Sequence, residues 1–192
     1  MRTTDTIAVN AKQFATQCLA MGKALGFDDE ILRLAFVELC SGNKEQSTPV
    51  TTYPVTVDYG LSLSEMIKAG HYDYANSDIT AKNFPKTEMS GKVKTNLELV
   101  HLNHSATTDE VLAHMEAQGF RPATLPELLA FGKMYPDVQR EFPVVALGSS
   151  WVGLDGYCCV AFLWDGGGKR SLYLDWCEDG WYGFCRFLAA RK

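Results

Sequence analysis

The sequence predicts an α+β protein: a short N-terminal helical segment followed by a mixed, mainly antiparallel sheet domain with short capped helices. Two observations carry that class. Three Ser/Thr-x-x-Glu boxes each precede a short amphipathic run, and two of them follow alternating, strand-like stretches. The last third is rich in β-branched and aromatic runs separated by glycine turns. Local signals of this kind that agree with one another favour a single fold.

Residues 7–40 carry helical spacing. Ile7, Phe14, Leu19 and Met21 precede Gly22, and Asp28 or Asp29 can cap a second helix through Ile31, Leu34 and Val37. The polar stretch "SGNKEQSTP" then reads as a linker, with Gly42 placed to stop the helix. The predicted division is 1–48 for the helical segment and 49–192 for the α+β domain.

In the second segment, Val55, Val57 and Tyr59 alternate with Thr56 and Asp58, the pattern of a half-buried strand. Ser62 and Glu65 form the first capping box, before a helix that ends at Gly70. "HYDYANSDITAKNFP" has no period and reads as loop. "KVKTNLELVHLNH" alternates again and reads as a strand. Thr107 and Glu110 open the next helix, whose inward face is Val111, Leu112 and Met115. Thr124 and Glu127 make the third box, with Pro126 in the first turn, where its missing N–H costs nothing, and Leu128, Leu129 and Phe131 facing inward.

"FPVVALGSSWVG" is a continuous apolar run, suited to a strand buried on both faces. "GYCCVAFLW" and "RSLYLDW" flank "DGGGK" and predict a hairpin. "WYGFCRFLAA" reads as the final strand.

The chain has 192 residues, 46% of them hydrophobic and 21% charged, with a formal net charge of −5. No lysine/arginine cluster stands out, which argues against a nucleic-acid surface, since displacing counterions needs one. No apolar run approaches the ~18 residues of a membrane span. The N-terminus lacks the pattern of a signal peptide. Six cysteines, at 18, 40, 158, 159, 177 and 185, are expected as free thiols in a reducing cytoplasm.

His101 and His104 are the nearest approach to a metal motif. At i and i+3 on a strand they face opposite ways, and no third ligand lies nearby, so no metal and no cofactor is expected. Cys177 and Cys185 are the candidate nucleophiles, but Asp175, Glu178 and Asp179 beside them would raise a thiol pKa, whereas catalysis needs it lowered. No GxSxG, dinucleotide or phosphate-loop motif is present.

Aromatic density is the remaining signal. Trp151, Trp164, Trp176 and Trp181 fall in one short stretch with Tyr157, Tyr173 and Tyr182. Some of these rings belong to the core, yet together they exceed what one small hairpin layer easily buries. The candidate ligand-binding residues are Trp151, Tyr157, Trp164, Trp181 and Tyr182. The expected activity is that of a non-enzymatic module binding an as yet unknown protein or small ligand. Two alternatives stand beside it: a cysteine-dependent enzyme using Cys177 or Cys185 with His101 or His104, and an accessory subunit whose aromatic face makes a homo-oligomer contact.

The stretches "FRPATLPELLAF", "FPVVALGS" and "RFLAARK" resemble a widespread family of bacterial proteins of unassigned function, over about residues 52–192. That resemblance implies no catalytic residue. Over 120–192, the order of "GFRPAT" entering a helix, "ALGSSW", a hairpin and a closing "RFLAAR" strand is similar to the end of C-type-lectin-like domains. These include formylglycine-generating enzymes and the variable proteins of diversity-generating retroelements. The lectin disulfide spacing and calcium ligands have no counterpart, so calcium-dependent sugar binding is not implied. The comparison with variable proteins implies a ligand surface between Trp151 and Tyr182.

Overall fold

The computed structural model describes residues 51–192, apart from 87 and 155. The chain divides between Pro49 and Val50, and the C-terminal unit is described by itself. The predicted helices at 7–40 lie outside the described residues.

The described elements run β1 (Tyr53–Asp58), α1 (Leu63–Ala69), β2 (Tyr74–Ala75), β3 (Lys92–Val100), α2 (Thr108–Ala117), β4 (Phe120–Pro122), α3 (Leu125–Met134), α4 (Val138–Glu141), β5 (Val144–Val152), β6 (Cys158–Asp165), β7 (Arg170–Trp176) and β8 (Arg186–Arg191). The strands make one open sheet in the order β1-β3-β8-β5-β6-β7-β2, with β4 also paired to β8. Pairing is antiparallel except between β5 and β8 and between β2 and β7. The class is α+β, as the sequence predicts.

All three capping boxes form. Ser62 Oγ accepts from the Glu65 amide, and the Glu65 carboxylate accepts in return from the Ser62 amide at 2.8 Å. Thr107 and Glu110 repeat the arrangement at the start of α2. At α3 the Glu127 carboxylate accepts from both the amide and the hydroxyl of Thr124. Each box satisfies amides that a helix start leaves without partners.

The helices divide between the two faces of the sheet. On one face, Leu125, Leu128, Leu129 and Phe131 of α3 pack with Val55, Leu97, Ala161, Leu163 and Leu188. On the other, Val111 and Met115 of α2 pack with Val100, Phe120, Val145, Phe187 and Ala189. Successive strand residues alternate faces, so β8 supplies Leu188 to one core and Phe187 and Ala189 to the other. Its run Phe187–Ala190 is buried on both sides, as befits the strand that pairs with β3, β4 and β5.

Two predicted strands differ in extent. Val144–Ala146 is buried on both faces, but β5 then slips register between Ala146 and Ser150 and continues half-exposed. Gly148 sits at that bulge. Its N–H donates to the Ala123 carbonyl, and a Cβ there would lie 2.6 Å from the same oxygen, so only glycine fits. The final strand begins at Arg186, not at Trp181. Trp181 makes an isolated bridge with Ala106, and a turn closed by the Cys185 N–H on the Tyr182 carbonyl carries the chain into β8. Gly180, at φ +75°, supplies a left-handed conformation there that other residues rarely adopt.

Arg170, the first residue of β7, ties together elements far from it in the sequence. Its guanidinium is buried and donates to the carbonyls of Gly70 and Gly132 and to Gln139 Oε1. Gly70 caps the C-terminus of α1 and Gly132 lies in the last turn of α3. One cation therefore neutralises the carbonyl ends of two helices. The same guanidinium lies 5.1 Å from the Tyr72 ring.

Tyr72 Oη is buried and has no hydrogen-bond partner among the described residues. Burial raises its pKa, against a smaller opposing effect of Arg170, so the hydroxyl stays protonated. Tyr72→Phe removes an unsatisfied polar atom and keeps the ring. We expect it to leave stability unchanged or raise it by up to about 1 kcal/mol. A urea midpoint lowered by that much would show that the hydroxyl is bound after all.

Candidate functional site: an aromatic groove on the uncovered half of the sheet

Helix α2 covers only part of its face. On that face no helix is laid down over β6 and β7 among the described residues, and most side chains pointing outward there are rings. The pairing registers set Val145 opposite Phe162 and Phe162 opposite Tyr173, so all three share this face. Trp164 lies two residues further along β6. The Phe162 and Tyr173 rings stack at 5.9 Å, and Tyr74 of β2 extends the row to Tyr173 at 4.9 Å. The turn between β7 and β8 adds Tyr182 and Phe184, parallel at 5.5 Å.

These residues bound a cleft of about 340 Å³ lined by Phe162, Trp164, Tyr173, Trp181, Tyr182 and Phe184. A second cleft of about 550 Å³ adjoins it, lined among others by Thr107, Glu110, Asp175 and Asp179. Asp175, Trp181, Tyr182 and Cys185 belong to both, so the two form one groove with an aromatic end and an acidic end. Volumes of this size suit a small ligand.

The five predicted residues separate. Trp164 and Tyr182 line the groove, and Tyr182 is 71% exposed. Trp181 also lines the groove, from beneath. At 4% exposure it is core, with its indole edge-on to Phe187 and its Nε1–H donating to Thr108 Oγ1 at 2.9 Å. It forms the floor of the groove and is not an exposed contact, because a large ring with a satisfied N–H gains most by burial. Trp151 is also placed elsewhere. It packs on the opposite face against Phe84 and the core of α3. Tyr157 is exposed at the far end of the hairpin, where its ring meets Trp176 at 5.6 Å. Phe162, Tyr173 and Phe184 belong to the groove and were not among the sequence candidates. Strict alternation along β6 and β7 was the signal that could have found the first two.

A larger cleft, of about 610 Å³, opens on the other face between α1 and the start of α3, beside Phe84 and Leu125. Several of its polar groups are already committed: Ser149 Oγ accepts from the Leu125 amide, and Ser62 and Glu65 are engaged in their box, while Lys86 and Ser150 also line it. It shares no lining residue with the aromatic groove.

The two candidate nucleophiles, Cys177 and Cys185, sit where the thiolate is disfavoured. Burial pushes Cys177 up to about 12, with further contributions from Cys158, Glu178 and Cys159. Burial also raises Cys185, with Asp175 adding to it against the Tyr182 backbone and Arg186. No hydrogen bond joins either thiol to a histidine among the described residues. His101 Nε2 donates instead to the Gly183 carbonyl at 2.8 Å, and His104 Nδ1 to the Ser105 carbonyl at 3.0 Å. Among the described residues no three His, Cys, Asp or Glu side chains converge as a metal site would require, and no helix is long and apolar enough to cross a membrane.

No protein-family model, curated protein or solved structure matches the chain.

Proposed function

We propose that the chain is a non-enzymatic binding module that holds its ligand in the aromatic groove of its C-terminal, β-rich part. One observation carries this reading. The half of the sheet face that α2 leaves uncovered presents rings from three separate segments, β6, β7 and the β7–β8 turn, converging on one cleft. A solvent-facing sheet normally alternates toward polar side chains, so a concave cluster of rings on that face marks a recognition surface. The raised thiol pKa values of Cys177 and Cys185 favour this reading over a cysteine-dependent enzyme. Its setting is a reducing cytoplasm, in keeping with free thiols at Cys158 and Cys177.

The resemblance to C-type-lectin-like domains agrees with this placement. The Arg121–Thr124 stretch enters α3, "GSSW" lies on β5, and the closing strand is β8. A ligand surface between Trp151 and Tyr182, as that resemblance implies, includes the rings of β6 and β7.

Saturation-transfer NMR with indole and phenol as probes tests the proposal. Both are expected to receive saturation from the wild-type chain and to lose most of it with Trp164→Ala and with Tyr182→Ala; Tyr182 is largely exposed, so its variant is expected to keep its unfolding free energy within about 1 kcal/mol of wild type and serves as the control for folding. Transfer that survives Trp164→Ala but disappears on Phe84→Ala would place the ligand in the opposite cleft and overturn the proposal.

A further inference from the structure

The groove is one-sided in charge. Among the described residues no lysine, arginine or histidine lines either of its clefts, while Glu110, Asp175 and Asp179 do. Glu110 is already occupied by the amide and hydroxyl of Thr107. Asp175 and Asp179 enter no ion pair among the described residues, whereas Asp58, Glu98, Glu116, Glu127, Asp137 and Asp165 each do. Asp175 Oδ1 accepts only from the amide of its own neighbour Trp176, at 3.0 Å.

The basic residues that adjoin the lining in sequence, Arg186 beside Cys185 and His104 beside Ser105, are engaged elsewhere. Arg186 lies over the Phe142 ring and donates to the Phe184 carbonyl. His104 holds the Ser105 carbonyl. Although Asp175 as a residue is exposed, its carboxyl sits where the two clefts meet, and that partial burial raises its pKa, opposed by the Trp176 amide and reinforced by Asp179. A carboxylate without a counter-charge, lining one cleft with Trp164, Tyr173 and Tyr182, calls for a positive group. Aromatic faces attract cations through the ring quadrupole. Carboxylates bind ammonium groups by charge-assisted hydrogen bonds.

We infer that the groove takes a small organic cation, an ammonium head on an apolar body, with the body among Trp164, Tyr173, Tyr182 and Phe184 and the head at Asp175 and Asp179. The inference rests on the groove being the ligand site. The net charge of −5 acts in the same direction, drawing cations toward the chain.

The test compares three probes of matched shape: phenethylamine, 2-phenylethanol and phenylacetate. Each is titrated into the full chain at neutral pH and low salt, with the indole Nε1–H resonance of Trp164 followed by NMR. Phenethylamine is expected to bind at least about tenfold more tightly than 2-phenylethanol, and phenylacetate more weakly than either. Raising the salt to about 0.5 M should shrink the preference for the amine, since screening acts on the charge term. Asp175→Asn and, separately, Asp179→Asn should reduce that preference while leaving 2-phenylethanol unaffected. Equal binding of amine and alcohol would overturn the cationic ligand class and leave the groove as the site. Binding of none of the probes, or saturation transfer to phenethylamine that Trp164→Ala leaves intact, would overturn the site itself.

Discussion

Replacing Arg170 by methionine is expected to cost about 3–5 kcal/mol of stability. Arg170 is 8% exposed, and its guanidinium reaches Gly70 O at 2.8 Å, Gly132 O at 2.6 Å and Gln139 Oε1 at 3.2 Å. No carboxylate lies within ion-pair distance among the described residues, so what stabilises the charge is the carbonyl ends of α1 and α3 and the Tyr72 ring. Methionine fills the space but leaves two buried carbonyls and an amide oxygen without donors. Lysine keeps the charge but cannot present a fork of donors to three separated oxygens, so Arg170→Lys should fall between the two. Urea unfolding followed by circular dichroism measures this. A loss below about 1 kcal/mol for the methionine variant would mean that the helix ends do not depend on the cation.

The second large effect is at Glu127. Its carboxylate, 3% exposed, accepts from Arg121 Nη1 and Nη2 at 2.9 and 2.7 Å and closes the capping box of α3 through the Thr124 amide at 2.7 Å. Burial alone would raise its pKa. The hydrogen bonds from Arg121 and the Thr124 amide outweigh that and hold it below the usual glutamate range. Glu127→Gln loses the bidentate pair and weakens the cap, at a cost of about 2–3 kcal/mol; water can partly replace the carboxylate around Arg121, which keeps the cost from going higher. Because the folded pKa is depressed, the stabilisation is complete above the unfolded value, about 4.3, and is lost as pH falls through the folded one. The gap between wild type and Glu127→Gln should therefore be constant near neutrality and close in acid. A gap that stays the same down to pH ~2 would contradict the ionised pair.

These two residues show what the sequence disclosed and what it withheld. The capping boxes were legible because Ser62–Glu65, Thr107–Glu110 and Thr124–Glu127 are local, and all three formed. The hairpin around "DGGGK" was legible for the same reason: β6 and β7 are adjacent in the chain and pair in register from Cys159–Trp176 to Asp165–Arg170. The role of Arg170 was not, since its partners lie 31, 38 and 100 residues away. The partition of the tryptophans was withheld too. Whether Trp181 is floor or surface depends on α2 supplying Thr108 and on β8 supplying Phe187, neither of which periodicity near residue 181 reveals.

The stretches that look most like signatures turn out to bind one another. In β4, Phe120–Pro122 pairs with β8. The Ala123 amide donates to the Leu188 carbonyl, and the Gly148 amide to the Ala123 carbonyl. Arg191 at the end of "RFLAARK" holds Glu98 and lies 4.5 Å from the Phe120 ring. "FRPATLPELLAF", "FPVVALGS" and "RFLAARK" are thus the joinery of the central sheet. Pro143 and Val145 of "FPVVALGS" reach the aromatic end of the groove, but its rings come from outside these stretches, on β6, β7 and the turn that follows.

A crystal structure of the chain grown with phenethylamine puts the groove itself to the proof. The expected result is the phenyl ring lodged among Trp164, Tyr173 and Tyr182, with the ammonium group within hydrogen-bond distance of Asp175. A molecule seated instead beside Phe84 and Leu125, or an empty groove at saturating amine, would contradict it.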